Sequence, residues 1–268
     1  RDRSRFRGAE MRSVIALFMA SLKAQYEYRL NFWLDTLING ANLFSDFLLM
    51  AFLMLSFKEI GGWSLGEIAV IYSIVEMGWG IFRLFGEGLH RFEELMVTGR
   101  FDLLLIRPMN TVKQLLLERI DFRRLGVVIE ALAVAIFGFT ASRIDFGDMW
   151  LAYIVLVFFS TVMTFEINII LAAIAFWTVR NSDIIVLAFY STRTAAMYPA
   201  HIYGPVLKNV LTFIVPLATV AYFPVGYLTG RITSIIALIS PVLGVTALLP
   251  VTVLIWKLGL KHYASTGT

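Results

Sequence analysis

The sequence contains no cysteine. Disulfide frameworks, thiolate metal centres and cysteine nucleophiles are therefore excluded. Charge is also scarce. Asp, Glu, Lys and Arg make up 16% of the 268 residues, against about 25% in an ordinary soluble chain, so the composition is the reverse of a disordered one. Histidine occurs only at His90, His201 and His262. These match no H-E-x-x-H zinc helix and are read as structural or exposed. There is no G-x-x-x-x-G-K-[ST] phosphate loop, which removes that route to ATP hydrolysis, and no G-x-S-x-G nucleophile elbow. Strand-like alternation and hairpin signals are missing, which argues against a β-barrel. The first apolar run is broken by Lys23, Glu27 and Arg29, so it is not a signal peptide. The first residue is Arg, and the sequence is expected to begin inside a longer chain.

What is present is apolar. Hydrophobic residues are 59% of the chain, with 22 Phe and 6 Trp, and the mean hydropathy is +0.77. A soluble monomer of this composition would leave much of that surface in water, so the chain belongs in a membrane. A spanning helix needs about 20 mostly apolar residues. Residues 32–57, 65–85, 125–140, 149–179 and 232–256 meet this. The fourth stretch would be about 46 Å long as one helix, so it projects or tilts. Residues 183–198 form a shorter, amphipathic sixth span. Residues 205–229 are long enough to cross but carry Pro205, Pro216, Pro224 and Lys208. Proline removes a backbone donor and clashes with the preceding turn, so two short helices that enter the outer leaflet and return are expected here. A seventh span is the alternative.

The net charge of +4 is a matter of membrane sidedness rather than of nucleic acid. With the N-terminus inside, seven Lys/Arg fall within residues 1–30 and eight within residues 83–124. With Arg180, Lys257 and Lys261, that places 18 of 23 at or near the inner side, as the positive-inside rule requires. Six spans keep both termini in the cytoplasm; a seventh would put Lys257 and Lys261 outside.

Two stretches frame the bundle. Residues 11–30 read as an interfacial helix, with Val14, Phe18, Leu22 and Tyr26 on one face. Residues 90–124 form a long, charged cytoplasmic loop, more than a connection needs. A helix is expected over 90–98 and stops at Gly99. Pro108 breaks the chain, and Asn110 caps a second helix running to Arg124. Within the spans, Asn31, Asp35, Asn39, Asn42 and Asp46 recur at offsets near four, as do Glu76, Gly80, Arg83 and Glu87. Each set is a stripe on one helix face. They serve either as interhelical hydrogen-bond glue or as the lining of a shared water-filled path. Glu130, Glu166 and Arg193 are the other intramembrane ionisable groups, and Arg193 calls for a carboxylate that the sequence does not identify. Gly78, Gly80, Gly86 and Gly88 are read as permitting close helix approach.

The run Gly99-Arg100-Phe101-Asp102-Leu103-Leu104-Leu105-Ile106-Arg107-Pro108-Met109-Asn110 resembles the G-x-(L/F)-D-x-L-L-x-R-P signature of ABC-2 type permeases. Glu27-Tyr28-Arg29, Tyr198-Pro199, Leu211 to Pro216 and Phe223-Pro224 fit the same family, so the resemblance spans nearly the whole chain. It implies an all-α integral membrane protein of the ABC-2 (type V ABC transporter) fold. That fold has six transmembrane helices, an N-terminal interfacial helix, a cytoplasmic coupling helix and an extracellular re-entrant helical hairpin (residues 200–231) before the last span, all within one permease domain over residues 1–268. It further implies a prokaryotic inner membrane. Two ATP-binding subunits would carry ATP and Mg, with no cofactor on this chain. A second permease, different or a copy, would complete the complex, and the direction is export. On this resemblance Arg91, Glu93, Glu94, Gly99, Arg107 and Pro108 couple to the ATPase. Asp35, Asn39, Asn42, Asp46, Glu76 and Arg83 belong to the pathway or to helix packing, and Tyr198, Pro199, Pro216 and Pro224 shape the hairpin. An ion-coupled secondary transporter or channel using the polar stripes is the alternative. An integral membrane enzyme has no motif in its favour.

Overall fold

A computed structural model of the chain describes residues 61–118, 120–142, 146–178 and 182–263, together with residue 59 and scattered positions between 34 and 52. The interfacial stretch 11–30 lies outside the described residues, as do Asn31, Asp35, Asn39, Asn42 and Asp46. The described positions from 34 to 52 are all helical. No strand occurs among the described residues.

The central element is α1 (Leu65–Phe85). Its start is fixed by a capping box. The Ser64 hydroxyl accepts the Glu67 N–H at 3.3 Å, and the Glu67 carboxylate accepts the Ser64 N–H at 2.8 Å, which satisfies two of the backbone groups left open at a helix start. Nearly all of α1 is buried (89% of its apolar window), against 28% for the last helix. Burial on every side marks α1 as the hub of the bundle. Small residues let its neighbours approach. A Cβ on Gly78 would lie 2.4 Å from the Ser160 hydroxyl, and one on Gly66 would lie 2.4 Å from the Ser142 nitrogen.

After α1 the chain makes four short helices: α2 (Glu87–His90), α3 (Phe92–Val97), α4 (Phe101–Leu105) and α5 (Thr111–Glu118). Two expectations are corrected here. The helix expected over 90–98 is interrupted at Arg91, where φ −95° and ψ 12° leave the helical region. The helix capped by Asn110 ends at Glu118, and residues 122–124 form a separate 3-10 turn started by Asp121. The Asn110 cap itself is present, its Oδ1 accepting the Lys113 N–H at 3.2 Å.

Three further long helices follow: α6 (Leu125–Ser142), α7 (Phe146–Ala173) and, last in the chain, α13 (Ile235–His262). The stretch expected over 149–179 is a single candidate span over Met149–Thr178, with a turn at Ile174 before the short α8 (Ala175–Thr178). α13 runs through Pro241 and Pro250, a pattern tolerated in membrane helices, where neighbours re-satisfy the freed backbone groups. At 28 residues it is about 42 Å long, ample for a hydrocarbon core of about 30 Å.

Between α8 and α13 lie α9 (Ser182–Ala196), a 3-10 turn at Ala200–Ile202, and the segment expected to re-enter. That segment comprises α10 (Pro205–Asn209), a π turn (Val210–Ile214), α11 (Leu217–Val220) and α12 (Tyr222–Leu228), with a 73° bend between its two arms. Pro216 stands at the bend and Pro205 opens α10. Pro224 does not break the chain; it sits in the first turn of α12, where a missing N–H costs nothing. Four helices among the described residues are long and apolar enough to cross a membrane, or five if the bent pair counts as one. α9 has 15 residues, about 22 Å, and falls short of a full crossing by itself.

The bundle has two distinct ends. At one, the Arg231 guanidinium grips the Glu67 carboxylate with two bonds of 2.7 Å and lies 5.3 Å above the Trp63 ring. His201 stacks on Trp63 and meets the Gly61 carbonyl at 3.0 Å. This ties α1, the turn before the hairpin and the start of α13 together. The loop of α2–α5 occupies the opposite end.

Candidate functional site

The α2–α5 loop carries the residues that the sequence nominated for coupling, and it is folded hard against the bundle. Phe92 and Phe101 are fully buried. The Phe92 ring lies 5.0 Å from Phe101, 5.0 Å from Phe176 and 5.3 Å from Trp256. Phe101 in turn meets Tyr263 at 5.1 Å. Five aromatic rings thus join α3 and α4 to α8 and to the C-terminal end of α13. Such pairs add to the area they bury. Gly259 makes room for them, since a Cβ there would lie 2.2 Å from the Phe176 ring.

Two polar bonds fix the register of this hub. The Tyr263 hydroxyl donates to Asp102 at 2.8 Å, and the Trp256 indole N–H donates to the Thr111 hydroxyl at 3.1 Å. Gln114, buried on α5, donates from Nε2 to the carbonyls of Leu104 (2.8 Å) and Met109 (2.9 Å). It therefore clamps the Arg107-Pro108-Met109 turn from inside. Gln114→Leu leaves both carbonyls without that donor, and a buried unsatisfied group costs about 1–3 kcal/mol. The expected result is faster proteolytic cleavage between residues 104 and 112 in the folded protein, read by limited proteolysis.

The nominated residues fall into two groups. Arg91 and Glu94 are bonded to each other across one turn, at 2.8 and 2.7 Å. Arg107 and Pro108 are exposed, Glu93 is half-buried, and Gly99 adopts φ +67°, the left-handed conformation that glycine supplies at a helix end. The sequence reading missed the apolar members of this surface. Val97, Leu103 and Ile106 are exposed, Ile106 at 78%. Leu103 and Ile106 lie between Arg100 and Arg107 in the chain, and Val97 lies three residues before Arg100.

Next to the loop, the C-terminal end of α1 meets a charged cluster. Asp121 is buried, accepts one bond from the Arg123 backbone N–H and two from its guanidinium, and pairs with Arg124 at 3.4 Å. Its backbone N–H donates to the Leu84 carbonyl at 3.0 Å. His90 packs edge-on against Trp79 and Phe82. Burial, reinforced by the positive charges of Arg83 and Arg124, pushes its imidazole down to about 4 from 6.5. His90 is therefore neutral in the folded chain at pH 7. The unfolded chain takes up that proton near 6.5, so this contribution to stability is complete above 6.5 and is lost as pH falls towards 4. His90→Gln is expected to flatten the pH dependence of the melting temperature between 4 and 6.5.

The members of the polar stripe of α1 meet different partners. Glu76 is fully buried and forms an ion pair with Arg193 of α9, the carboxylate that the sequence left unidentified. The Arg193 guanidinium also lies 5.3 Å over the Trp79 ring, and that of Arg83 lies 5.4 Å over the same ring. Gly80 faces Val127 and Val128 of α6, and Glu87 begins a separate helix beyond Gly86. Glu166 is buried on α7, with neither carboxylate oxygen hydrogen-bonded among the described residues. No group of three or more His, Cys, Asp or Glu residues suited to a metal ion occurs among the described residues. In the hairpin segment, Pro199 is buried at the head of the 3-10 turn, and Tyr198 is half-buried.

Residues 41–267 match the family described as ABC-2 family transporter protein. The chain belongs to that family. Among curated proteins none matches it. As an ABC-2 family member it is the membrane component of an ABC transporter, a multi-pass permease that works in lipid with ATP-binding subunits. The helical bundle, with its broken hairpin before the last helix, is consistent with this membership. The match covers both the Arg107-Pro108 loop and the hairpin.

Proposed function

We propose that this ABC-2 permease forms half of the translocation pathway of an ATP-driven exporter. It sits in a prokaryotic inner membrane with both termini in the cytoplasm and with six crossings plus the re-entrant pair. Two ATP-binding subunits dock beneath the bundle on the α2–α5 loop, and ATP and Mg are bound there and not on this chain. A second permease, a different one or a copy, completes the pathway.

The observation that carries this reading is the two-sidedness of the loop. One side is cemented to α8 and α13 by the rings of Phe92, Phe101, Phe176, Trp256 and Tyr263. The other presents Val97, Leu103 and Ile106 beside arginines. An apolar patch with a polar rim is how a partner surface is built. Closure of the ATP-binding subunits moves the loop, and the hub passes that movement to the last helix as a rigid-body shift. Binding energy spent at the loop then biases the bundle between two states.

The test is purification in mild detergent. An ABC ATPase recovered at one-to-one stoichiometry, and released by Ile106→Asp, supports the reading. Transport by the chain reconstituted alone overturns it and favours the ion-coupled alternative. Recovery of a second permease species decides between the two pairings.

A further inference from the structure

Helix α13 is tied at both ends, but to different parts of the molecule. Its C-terminal end is bonded to the α2–α5 loop through Trp256 and Tyr263. Its N-terminal end is tied to the start of α1. Three residues ahead of the Ser234 N-cap, the Arg231 guanidinium holds the Glu67 carboxylate with two bonds of 2.7 Å. Such a forked pair fixes direction as well as distance. The Arg231 and Ile232 N–H groups both donate to the Gly226 carbonyl at 2.9 Å, so the backbone is held along with the side chain. Six residues beyond the N-cap, the Ser240 hydroxyl donates to the Thr219 carbonyl of α11 at 2.7 Å.

The receiving end is stiff. The Glu67 carboxylate also accepts the Ser64 N–H and hydroxyl, both at 2.8 Å. One residue earlier, α1 meets α6 at backbone contact, since a Cβ on Gly138 would lie 3.0 Å from the Gly66 carbonyl oxygen. Trp63 is buried, 5.3 Å from the Arg231 guanidinium and 5.5 Å from the Tyr222 ring. The stretch between the two ties of α13 is not stiff. Pro241 and Pro250 stand inside the helix. Each removes one N–H from the helical ladder, and helices bend at such places. With 28% of its apolar window buried, α13 has the least packing of the four long helices to hold it in line.

We propose that the N-terminal end of α13 is a fixed pivot. Glu67 and Arg231 are the positioning residues that hold it while the C-terminal end swings with the loop. This rests on the reading that ATP-binding subunits move the loop. A latch opening at this end in each cycle has to break the ion pair together with the Gly226 and Thr219 bonds, whereas a pivot keeps them all. The geometry also sets the amplitude. A tilt about Ser234 moves Leu258 about ten times as far as Ile236, in proportion to their distances along the helix.

The test uses the complex with its ATP-binding subunits in nanodiscs, with one spin-labelled copy of this cysteine-free chain per complex. One labelled pair is Thr140→Cys with Ile236→Cys, near the pivot. The other is Ile129→Cys with Leu258→Cys, near the loop. All four positions are exposed. Double electron–electron resonance reads each distance without nucleotide and after trapping with ATP and vanadate. The expected result is a shift of about 4 Å or more in the second pair and less than about 1 Å in the first. Arg231→Gln is expected to let the first pair shift by about 3 Å on trapping, with ATP hydrolysis kept within about two-fold. A residue that only stabilised the fold would leave that distance unmoved. The Arg231 side chain is 35% exposed. Should the glutamine variant fold poorly, Arg231→Lys keeps the charge without the fork and is expected to give a smaller shift of the same kind. A first pair that moves as far as the second in the otherwise unaltered chain overturns the pivot and makes the ion pair a latch. A first pair that stays still in the Arg231 variants overturns it too, as does a second pair that stays still while ATP is hydrolysed. A complex that carries no ATPase overturns the partnership reading, and the pivot with it.

Discussion

Glu76→Ala is expected to destabilise the protein by about 3–5 kcal/mol, the usual penalty for leaving a buried charge without its partner. The Glu76 side chain is fully buried and that of Arg193 is 7% exposed, so water cannot replace the lost carboxylate. The Trp79 ring beneath the guanidinium contributes a cation–π contact of about 0.5–2 kcal/mol, which is too little to offset the loss. Arg193→Ala is expected to be equally damaging for the mirror-image reason. The double replacement Glu76→Met, Arg193→Met removes both charges and fills the space, and it is expected to recover most of the lost stability. Thermal unfolding in detergent, followed by tryptophan fluorescence, measures all four proteins. A single variant that keeps its melting temperature but loses transport would move the pair from the scaffold into the pathway.

This pair also shows where reading the sequence stops. Glu76 was visible as an intramembrane carboxylate and Arg193 as a cation in need of one, because each is costly in hydrocarbon. Their pairing was not, since 117 residues separate them and no local periodicity links α1 to α9. The elements set by local chemistry were legible. α1 starts and ends where the apolar run over 65–85 places it, and Pro216 turns the hairpin. Local chemistry also misled where tertiary packing overrode it. The loop helix breaks at Arg91 because Phe92 and Phe101 turn inward to the rings of α8 and α13, and a contact between residues 92 and 256 leaves no trace in a window of ten. Gln114 carried no signal either. A glutamine on a short helix reads as solvated until the Leu104 and Met109 carbonyls are found facing it.

Phe92→Ala in the assembled transporter is expected to lower transport at least ten-fold while ATP hydrolysis by the partner subunits stays within about two-fold. Phe92 is the ring shared by α3, α4, α8 and α13. Removing a buried phenyl group costs about 3–5 kcal/mol in contacts and cavity, and here the cavity opens at the joint between loop and bundle. The exposed face with Val97, Leu103 and Ile106 is untouched, so the docking proposed for it and the turnover of the ATPase are expected to persist. What fails is the transfer of its movement to α13. Phe92→Leu retains most of the volume and is expected to keep at least a third of the transport. Tyr263→Phe removes one hydrogen bond to Asp102, worth about 0.5–1.5 kcal/mol, and is expected to have a still smaller effect. Measuring transport and hydrolysis on the same proteoliposomes separates the two quantities. If both fall together in Phe92→Ala, the hub is required only to hold the docking surface in shape. If neither falls, the movement reaches the bundle by another route. Transport lost with hydrolysis kept, in the order Phe92→Ala, Phe92→Leu, Tyr263→Phe, is the signature of a mechanical joint, because the effect then follows the volume removed from the joint and not the charge at its surface.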